Sequence, residues 1–483
     1  MKRLPHVMVL AAAAAAAVAH AQATAPAGRT TPPTLGPPPK ISLPPIHERN
    51  LPNGMRLLVV ERHEIPLVDA VLVLGAGPEA DPTGKSGVAT LVASMLTRGT
   101  PTRSAADIAA QTATLGASLD AGSTWDHTVV SLHVPTATLD SAWSIFADIA
   151  LHSTFPDSEF ARVKRERLTD LVELSDRAPE VADRALATIL FGPDHPYGRP
   201  SLGSEQSVNA ITTNDIRGFY DATFTAGNAT LIVVGDVTVD GIDAKAKELF
   251  GGWKRGSANA DPVPWPSSPT VAPTTIYVID KQDAPQSSIR LGSVAVARST
   301  PDYFPIDVMN TILGGAFTSR LNENLRETHA YTYGAFSGFG MRRNPGPFLA
   351  EAEVVATKTD SSLLQFMHEL NAIRDTVPMT ELRKAKRYLE LQLPGELETS
   401  RDIAGQLVPV AVYHLPLDFY NTYQAHIAAV TRADVQRVAR AYVDPTHVVI
   451  VVVGDRAAIE APLRATHVGP VQDRNLDGLP TTQ

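Results

Sequence analysis

Apolar and polar positions divide the chain into alternating strand-like runs and helical stretches from about His47 onward. Met55–Glu61 (MRLLVVE) and Leu67–Gly75 (LVDAVLVLG) alternate or run apolar after an Asn53-Gly54 turn, which predicts an antiparallel pair entering a sheet. Gly87–Gly99 has helical spacing with small side chains, and Thr102–Leu115 and Ala137–Ile149 follow the same period. Ser118–Ala121 and Thr128–Val134 are strand candidates between them. Phe155–Leu174 reads as a long charged amphipathic helix with Pro156 and Asp157 in its first turn, and Pro179–Leu190 as the next helix. Further on, strands are expected at Thr275–Ile279, Gln286–Val294, Tyr333–Met341 and Phe348–Val355. Helices are expected at Tyr303–Leu313, Asp360–Val377, Thr380–Glu396 and Ser400–Val412.

One block occurs twice. Thr212–Asp236 (TTNDIRGFYDATFTAGNATLIVVGD) returns as Thr431–Asp455 (TRADVQRVARAYVDPTHVVIVVVGD) at a constant offset of 219 residues. Each copy opens on a threonine cap with aspartate three residues later, runs through a helix, turns, and ends in an apolar strand closed by Gly-Asp. Two homologous halves follow from this repeat. The first is expected over 47–250 and the second over 275–468, joined by a linker at 251–274 rich in Gly, Pro, Ser and Ala. Strand and helix order in each half predicts an α+β fold, a mainly antiparallel sheet packed with helices. A Pro-rich arm at 22–46 and a flexible tail at 469–483 flank the two halves.

Composition narrows the picture. With 483 residues and 44% hydrophobic side chains the chain can bury more than one core. Residues 1–21 have a basic start, an apolar run and a small-residue end, the order of a signal peptide cleaved after Ala21. The mature chain is then expected to be exported, and periplasmic in a Gram-negative host. It has no cysteine, so its cores and not disulfides must stabilise it. A formal net charge of −9 argues against a general nucleic-acid or anionic-membrane binder, and no later apolar run is long enough for a membrane span. The Gly84-Lys85-Ser86 fragment of a phosphate loop is not one, because Glu79 stands where its first glycine is required.

Candidate chemistry concentrates in Leu313–Phe339, LGGAFTSRLNENLRETHAYTYGAFSGF. Gly314 and Gly315 open it, and a short helical run puts Leu321 and Leu325 on one face. A strand with Tyr331, Tyr333 and Phe336 follows, interrupted by Gly334 and Gly338. Arg326 at the helix end and Tyr333 at the strand start pair fixed guanidinium donors with a phenol that stays protonated near neutral pH. Such a pair suits carbonyl oxygens. The glycines, the SRL triplet, Arg326 and Tyr333 in register make this stretch resemble the second-domain motif of the pitrilysin, insulinase and mitochondrial processing peptidase family, in which the arginine and tyrosine hold substrate.

In the first half the resemblance points to a deficiency. Active members of that family carry an inverted zinc motif, two histidines four apart on one helical face with a glutamate that activates water. This chain keeps Gly87, Met95, Leu96, Gly99 and Thr100 in step, but the ligand positions hold Thr90 and Ser94 and the general-base position holds Ala93. A neutral hydroxyl is a poor zinc ligand and alanine takes no proton. Asp170 or Glu173, near where a third ligand would fall, cannot hold zinc unaided. Neither His47-Glu48 nor His63-Glu64 has a second histidine at metal spacing. His195-Pro196-Tyr197-Gly198 also resembles the family, as a structural loop without chemistry. Ser94 has no histidine near it in sequence and no G-x-S-x-G elbow occurs, which argues against a serine nucleophile.

The resemblance therefore implies one bowl of a clamshell whose chain binds no metal itself. Zinc would belong to a homologous peptidase subunit with an intact HxxEH motif. Arg326 and Tyr333 would support that partner's site, with unfolded peptide substrates held as an added strand along a sheet edge. The other reading is a catalytically inert peptide-binding or assembly protein of the same fold.

Overall fold

The computed structural model describes residues 36–256 and 272–481. The expected signal peptide and most of the linker fall outside the described residues. Two six-stranded mixed sheets carry the architecture. The first comprises β1 (His47–Asn50), β2 (Arg56–Glu61), β3 (Leu67–Leu74), β4 (Ser118–Thr124), β5 (His127–Pro135) and β6 (Ala229–Gly235), in the order β1-β2-β6-β3-β5-β4. The second comprises β7 (Thr275–Asp280), β8 (Gln286–Val294), β9 (Thr332–Phe339), β10 (Pro347–Val355), β11 (Val449–Gly454) and β12 (Val471–Arg474), in the order β12-β7-β11-β8-β10-β9. In both sheets the third strand from one end (β6 or β11) runs parallel to one neighbour and antiparallel to the other.

The repeated block explains this correspondence. Thr212 and Thr431 each close a capping box with Asp215 and Asp434, starting helices Thr213–Thr223 and Arg432–Tyr442. The strands that follow, β6 and β11, pass through the middle of their sheets. They are buried on both faces, which is why they read as continuous apolar runs rather than alternating ones.

Why both faces are covered follows from an exchange of helices. Leu57, Val59, Leu72, Leu74, Leu231 and Val233 face the first half's own helices. Their neighbours Leu58, Val60, Val71, Val73, Ile232 and Val234 belong to the core shared with the second half, where helix Ser400–Val412 packs on β3 and β6. Reciprocally, helix Ala178–Phe191 of the first half lies on β8 and β11, setting Val181, Leu186 and Leu190 against Val449, Val451 and Val453. Each such side chain buried contributes about 1.5–3 kcal/mol, so neither half keeps its full core without the other. A polar contact fixes the second exchange: Arg290 on β8, itself buried, pairs with Asp183 of the visiting helix at 2.6 Å and with Glu353 at 2.8 Å.

Three features differ from the expected layout. The runs Met55–Glu61 and Leu67–Gly75, expected to pair with each other, form β2 and β3 on either side of β6, which is parallel to β2 and antiparallel to β3. The partner that separates them, Ala229–Gly235, lies far along the chain and leaves no local trace. The two ends differ as well. Packing reaches back before His47, because Leu43 is buried in the shared core and its amide donates to Asn421 at 2.8 Å. The stretch after Val468, expected to be loose, instead adds β12 parallel to β7. Its four residues are too short and polar to show as a strand in sequence. No helix among the described residues is long and apolar enough to cross a membrane.

Candidate functional site

Helix Val88–Met95 begins at Gly87, whose φ of 102° needs glycine; a Cβ there would also meet the Leu202 carbonyl oxygen at 2.9 Å. The Asp81 carboxylate caps the helix, accepting from the amides of Gly87 (2.6 Å) and Ala89 (2.7 Å). Burial nonetheless pushes its pKa up to about 7, against the pull of those amides. Thr90 is buried and its hydroxyl donates to the carbonyls of Gly87 and Ser201. Ser94 donates back to the Thr90 carbonyl at 2.9 Å, and Ala93 is buried. Both hydroxyls are thus spent on backbone.

The residue opposite Thr90 is an arginine. Arg167, on helix Asp157–Ser175, donates from Nη1 to Thr90 Oγ1 at 2.9 Å and to the Leu202 carbonyl at 3.0 Å. Asp170 and Glu173 on the same helix are exposed. A guanidinium in hydrogen-bond contact with the first ligand position opposes a dication there, so the donor set does not fit zinc. Among the described residues no group of three His, Cys, Asp or Glu is placed to hold a metal. His63 is taken by Asp236 at 2.8 Å, and His195 accepts from the Tyr197 amide at 3.0 Å.

In the second half the chain approaches β9 through two π-helical turns, Thr311–Gly315 and Glu323–Thr328. Wider turns of this kind re-aim side chains, and they bracket the Arg326–Tyr333 stretch. Leu321 and Leu325 are fully buried, as their spacing predicts. Arg326 lies in the second turn, its guanidinium 4.3 Å above the Phe317 ring and its Nε 3.4 Å from Glu327. Ala330 then takes a left-handed φ of 54° to release the chain into β9.

Tyr333 sits at an irregularity in the β9–β10 ladder. Ala335 opposes Ala352 and Thr332 opposes Val354, so Tyr333 and Gly334 together face the single residue Glu353. The Thr332 hydroxyl, bonded to the carbonyls of Gly334 and Glu353, fills the bulge. Without that extra residue Tyr333 would share the inward face of Ala335 and Ser337. With it the side chain is 90% exposed, and its hydroxyl has no partner among the described residues. Arg326 and Tyr333 flank one turn-to-strand unit, and no hydrogen bond or ring contact joins them. Phe317, under the Arg326 guanidinium, and Phe336, three residues along β9 from Tyr333, are both exposed.

The two outer sheet edges near these features are unlike. Along β9, Asn322 Oδ1 accepts from the Ala335 amide at 3.2 Å and Asn310 Nδ2 donates to the Ser337 carbonyl at 3.0 Å. Side chains thereby occupy the groups a further strand would use. Along β4, the outward backbone of Ser118–Gly122 makes no hydrogen bond among the described residues. A free edge of this kind is a template for an extended peptide.

The halves also meet at Asp126, buried in the β4–β5 turn. Its carboxylate accepts from the Tyr197 hydroxyl (2.8 Å), and from the Arg343 amide (2.6 Å) and Tyr413 hydroxyl (3.0 Å) of the second half. Arg342 stacks over Trp125 at 4.0 Å and Tyr197 at 4.4 Å, and Arg343 reaches Glu79 at 3.5 Å. Burial first, and the Asp126 charge second, push Glu79 up to about 8 despite Arg343. Tyr197 thus has a structural duty, the holding of this junction.

Arg167, Asn310, Asn322 and Asp126 are absent from the sequence-based site. Arg167, Asn310 and Asp126 lie outside any recognisable motif, and Asn322, although within Leu313–Phe339, shows its role only once β9 folds back against it.

A zinc-motif helix without its ligands, and an Arg/Tyr-bearing second half built on a second sheet of corresponding strand order, define a peptidase-like chain. Residues 56–203 match the model of the insulinase family, peptidase family M16, and residues 210–389 match that of the peptidase M16 inactive domain. The chain is 30% identical over 361 residues to an uncharacterised zinc protease of Mycobacterium tuberculosis, covering 74% of this chain and 81% of that protein. Among solved structures, the peptidase M16 inactive domain from Pseudomonas fluorescens superposes with a TM-score of 0.79 at 28% identity, covering 85% of this chain and 98% of that one. A protease from Helicobacter pylori superposes equally well, with a TM-score of 0.79 at 21% identity, over 86% and 100% of the two chains. The chain belongs to peptidase family M16.

Proposed function

We propose that this chain is the substrate-holding, zinc-free subunit of a two-chain peptidase that degrades or processes peptides in the periplasm. Its partner would be a homologous exported chain with an intact HxxEH motif. One contrast carries the reading: Arg167 is bonded to the first ligand position, while the Tyr333 hydroxyl is turned outward and left unspent. Arg326 would anchor backbone carbonyls of the substrate. Tyr333 would donate to the carbonyl oxygen as it gains negative charge in the tetrahedral intermediate. The unoccupied β4 edge supports the holding of unfolded peptides, because main-chain hydrogen bonds tolerate many sequences.

A second reading keeps the peptide-holding and drops the chemistry: an inert binding or assembly protein. The β4 edge favours it, since that edge needs no zinc to work. Co-expression with the chain encoded beside it, followed by peptidase assay of each alone and of the mixture with zinc, separates the two. Activity arising only on mixing supports the subunit reading; a zinc-bearing partner that is equally active without this chain supports the inert one.

A further inference from the structure

Arg167 poses a physical problem that the peptidase-like fold leaves open. It is only 9% exposed, yet it forms no ion pair among the described residues. Its Nη1 is bonded to two neutral oxygens, those of Thr90 and Leu202. Nε and Nη2 have no acceptor among the described residues, and neither is sealed from solvent. Burial leaves this guanidinium with few acceptors, and the two nitrogens of its fork that still reach solvent are free to meet an anion. The acidic groups that feel it are Asp81 and Asp170, both at longer range. Asp81 is committed to the helix amides of Gly87 and Ala89, and Asp170 is exposed.

A second arginine strengthens the local field. Arg199 donates from Nη1 to the Asp81 carbonyl at 3.1 Å, and its Nε is buried without a partner among the described residues. Burial lowers the pKa of both guanidinium groups; both interact with Asp81, and Arg199 also with Asp194. The helix carrying Thr90 packs on helix Asp157–Ser175 on one side and on β4 on the other. The Thr90 helix thus connects this positive charge, which no ion pair neutralises at short range among the described residues, to the sheet edge that remains open. A planar guanidinium with two free nitrogens matches a carboxylate in geometry as well as charge.

We propose that Arg167, beside the first degenerate ligand position, binds a carboxylate of a peptide docked along β4, so that the lost metal site has become an anion site. This rests on the peptide-holding reading above. The carboxylate can come from the peptide's C-terminus or from an acidic side chain, and the test separates the two sources.

Three N-acetylated peptides of neutral, β-favouring residues are titrated against the whole chain by fluorescence anisotropy: a free acid, its C-terminal amide, and the amide with one internal Asp. The free acid or the Asp-containing amide should bind roughly tenfold tighter than the plain amide, as a charge-assisted hydrogen bond implies. Whichever does identifies the source. In Arg167→Gln, checked by its melting curve, the advantage should vanish; Arg167→Lys should retain only part of it. Equal binding of all three peptides to the wild type overturns the inference and leaves the peptide-holding reading intact. Binding of none overturns both.

Discussion

Arg167 and Thr90 are 77 residues apart in sequence and 2.9 Å apart in space, a guanidinium bonded to the hydroxyl that stands at the first metal-ligand position. The loss of the zinc site is therefore more than a change of ligands on one helix. The neighbouring helix supplies a cation of its own.

Restoring the ligands should not by itself restore the metal. Thr90→His, Ala93→Glu and Ser94→His place two imidazoles and a carboxylate on one helical face, but Arg167 remains within reach of position 90. Adding Arg167→Leu to that triple variant should raise zinc affinity by about tenfold or more, as removal of a like charge at short range requires. Competition with a chromophoric chelator measures it. Equal affinity with and without Arg167 would show that the guanidinium does not face the metal position.

Tyr333→Phe should leave stability unchanged, because the hydroxyl touches none of the described residues. In the complex with a zinc-bearing partner the same change should lower kcat by roughly a hundred- to a thousandfold, the effect of losing one oxyanion donor, with little change in KM. Unchanged kcat would remove Tyr333 from the chemistry.

Gly314 should resist substitution. A Cβ there would lie 2.3 Å from the Ser337 amide nitrogen, part of the β9 backbone, so the strand carrying Tyr333 would have to shift. Gly314→Ala should cost about 1–3 kcal/mol in urea unfolding. Gly338, where an added Cβ would meet nothing within 4 Å, should accept alanine at much smaller cost and serves as the control.

Buried carboxyls make stability fall as pH rises. Glu79 is held near 8 and Asp81 near 7, well above their unfolded values near 4.5 and 3.8. Between those limits the folded state keeps protons that the unfolded chain has released, so each unit of pH works against folding. Urea midpoints should decline from pH 5 toward about 8, a window set by Glu79. Glu79→Gln, neutral at every pH, should flatten that decline. A slope unchanged in the variant would contradict the burial-driven shift.

Much of the fold is legible along the chain because it depends on local periods. The Thr212 and Thr431 capping boxes, the strands closed by Gly-Asp and the Leu321–Leu325 spacing all act within a few residues of themselves. The bulge at Tyr333 is hidden, because it is set by the pairing partner Glu353 and not by the strand's own alternation. Arg167 is hidden for a related reason. On a charged amphipathic helix an arginine looks like any solvated side chain until the helix Val88–Met95 is packed against it. The exchange of helices Ala178–Phe191 and Ser400–Val412 between halves likewise leaves only an indirect trace, the unbroken apolar runs of the strands they cover.

The most direct test of the account is a peptidase assay on this chain purified alone, on the zinc-bearing homologue proposed as its partner alone, and on the two mixed, with zinc content determined in each. The account predicts a metal-free, inactive chain whose addition raises peptide cleavage by that proposed partner, an increase lost with Tyr333→Phe. Stoichiometric zinc and peptide cleavage in this chain by itself would contradict it.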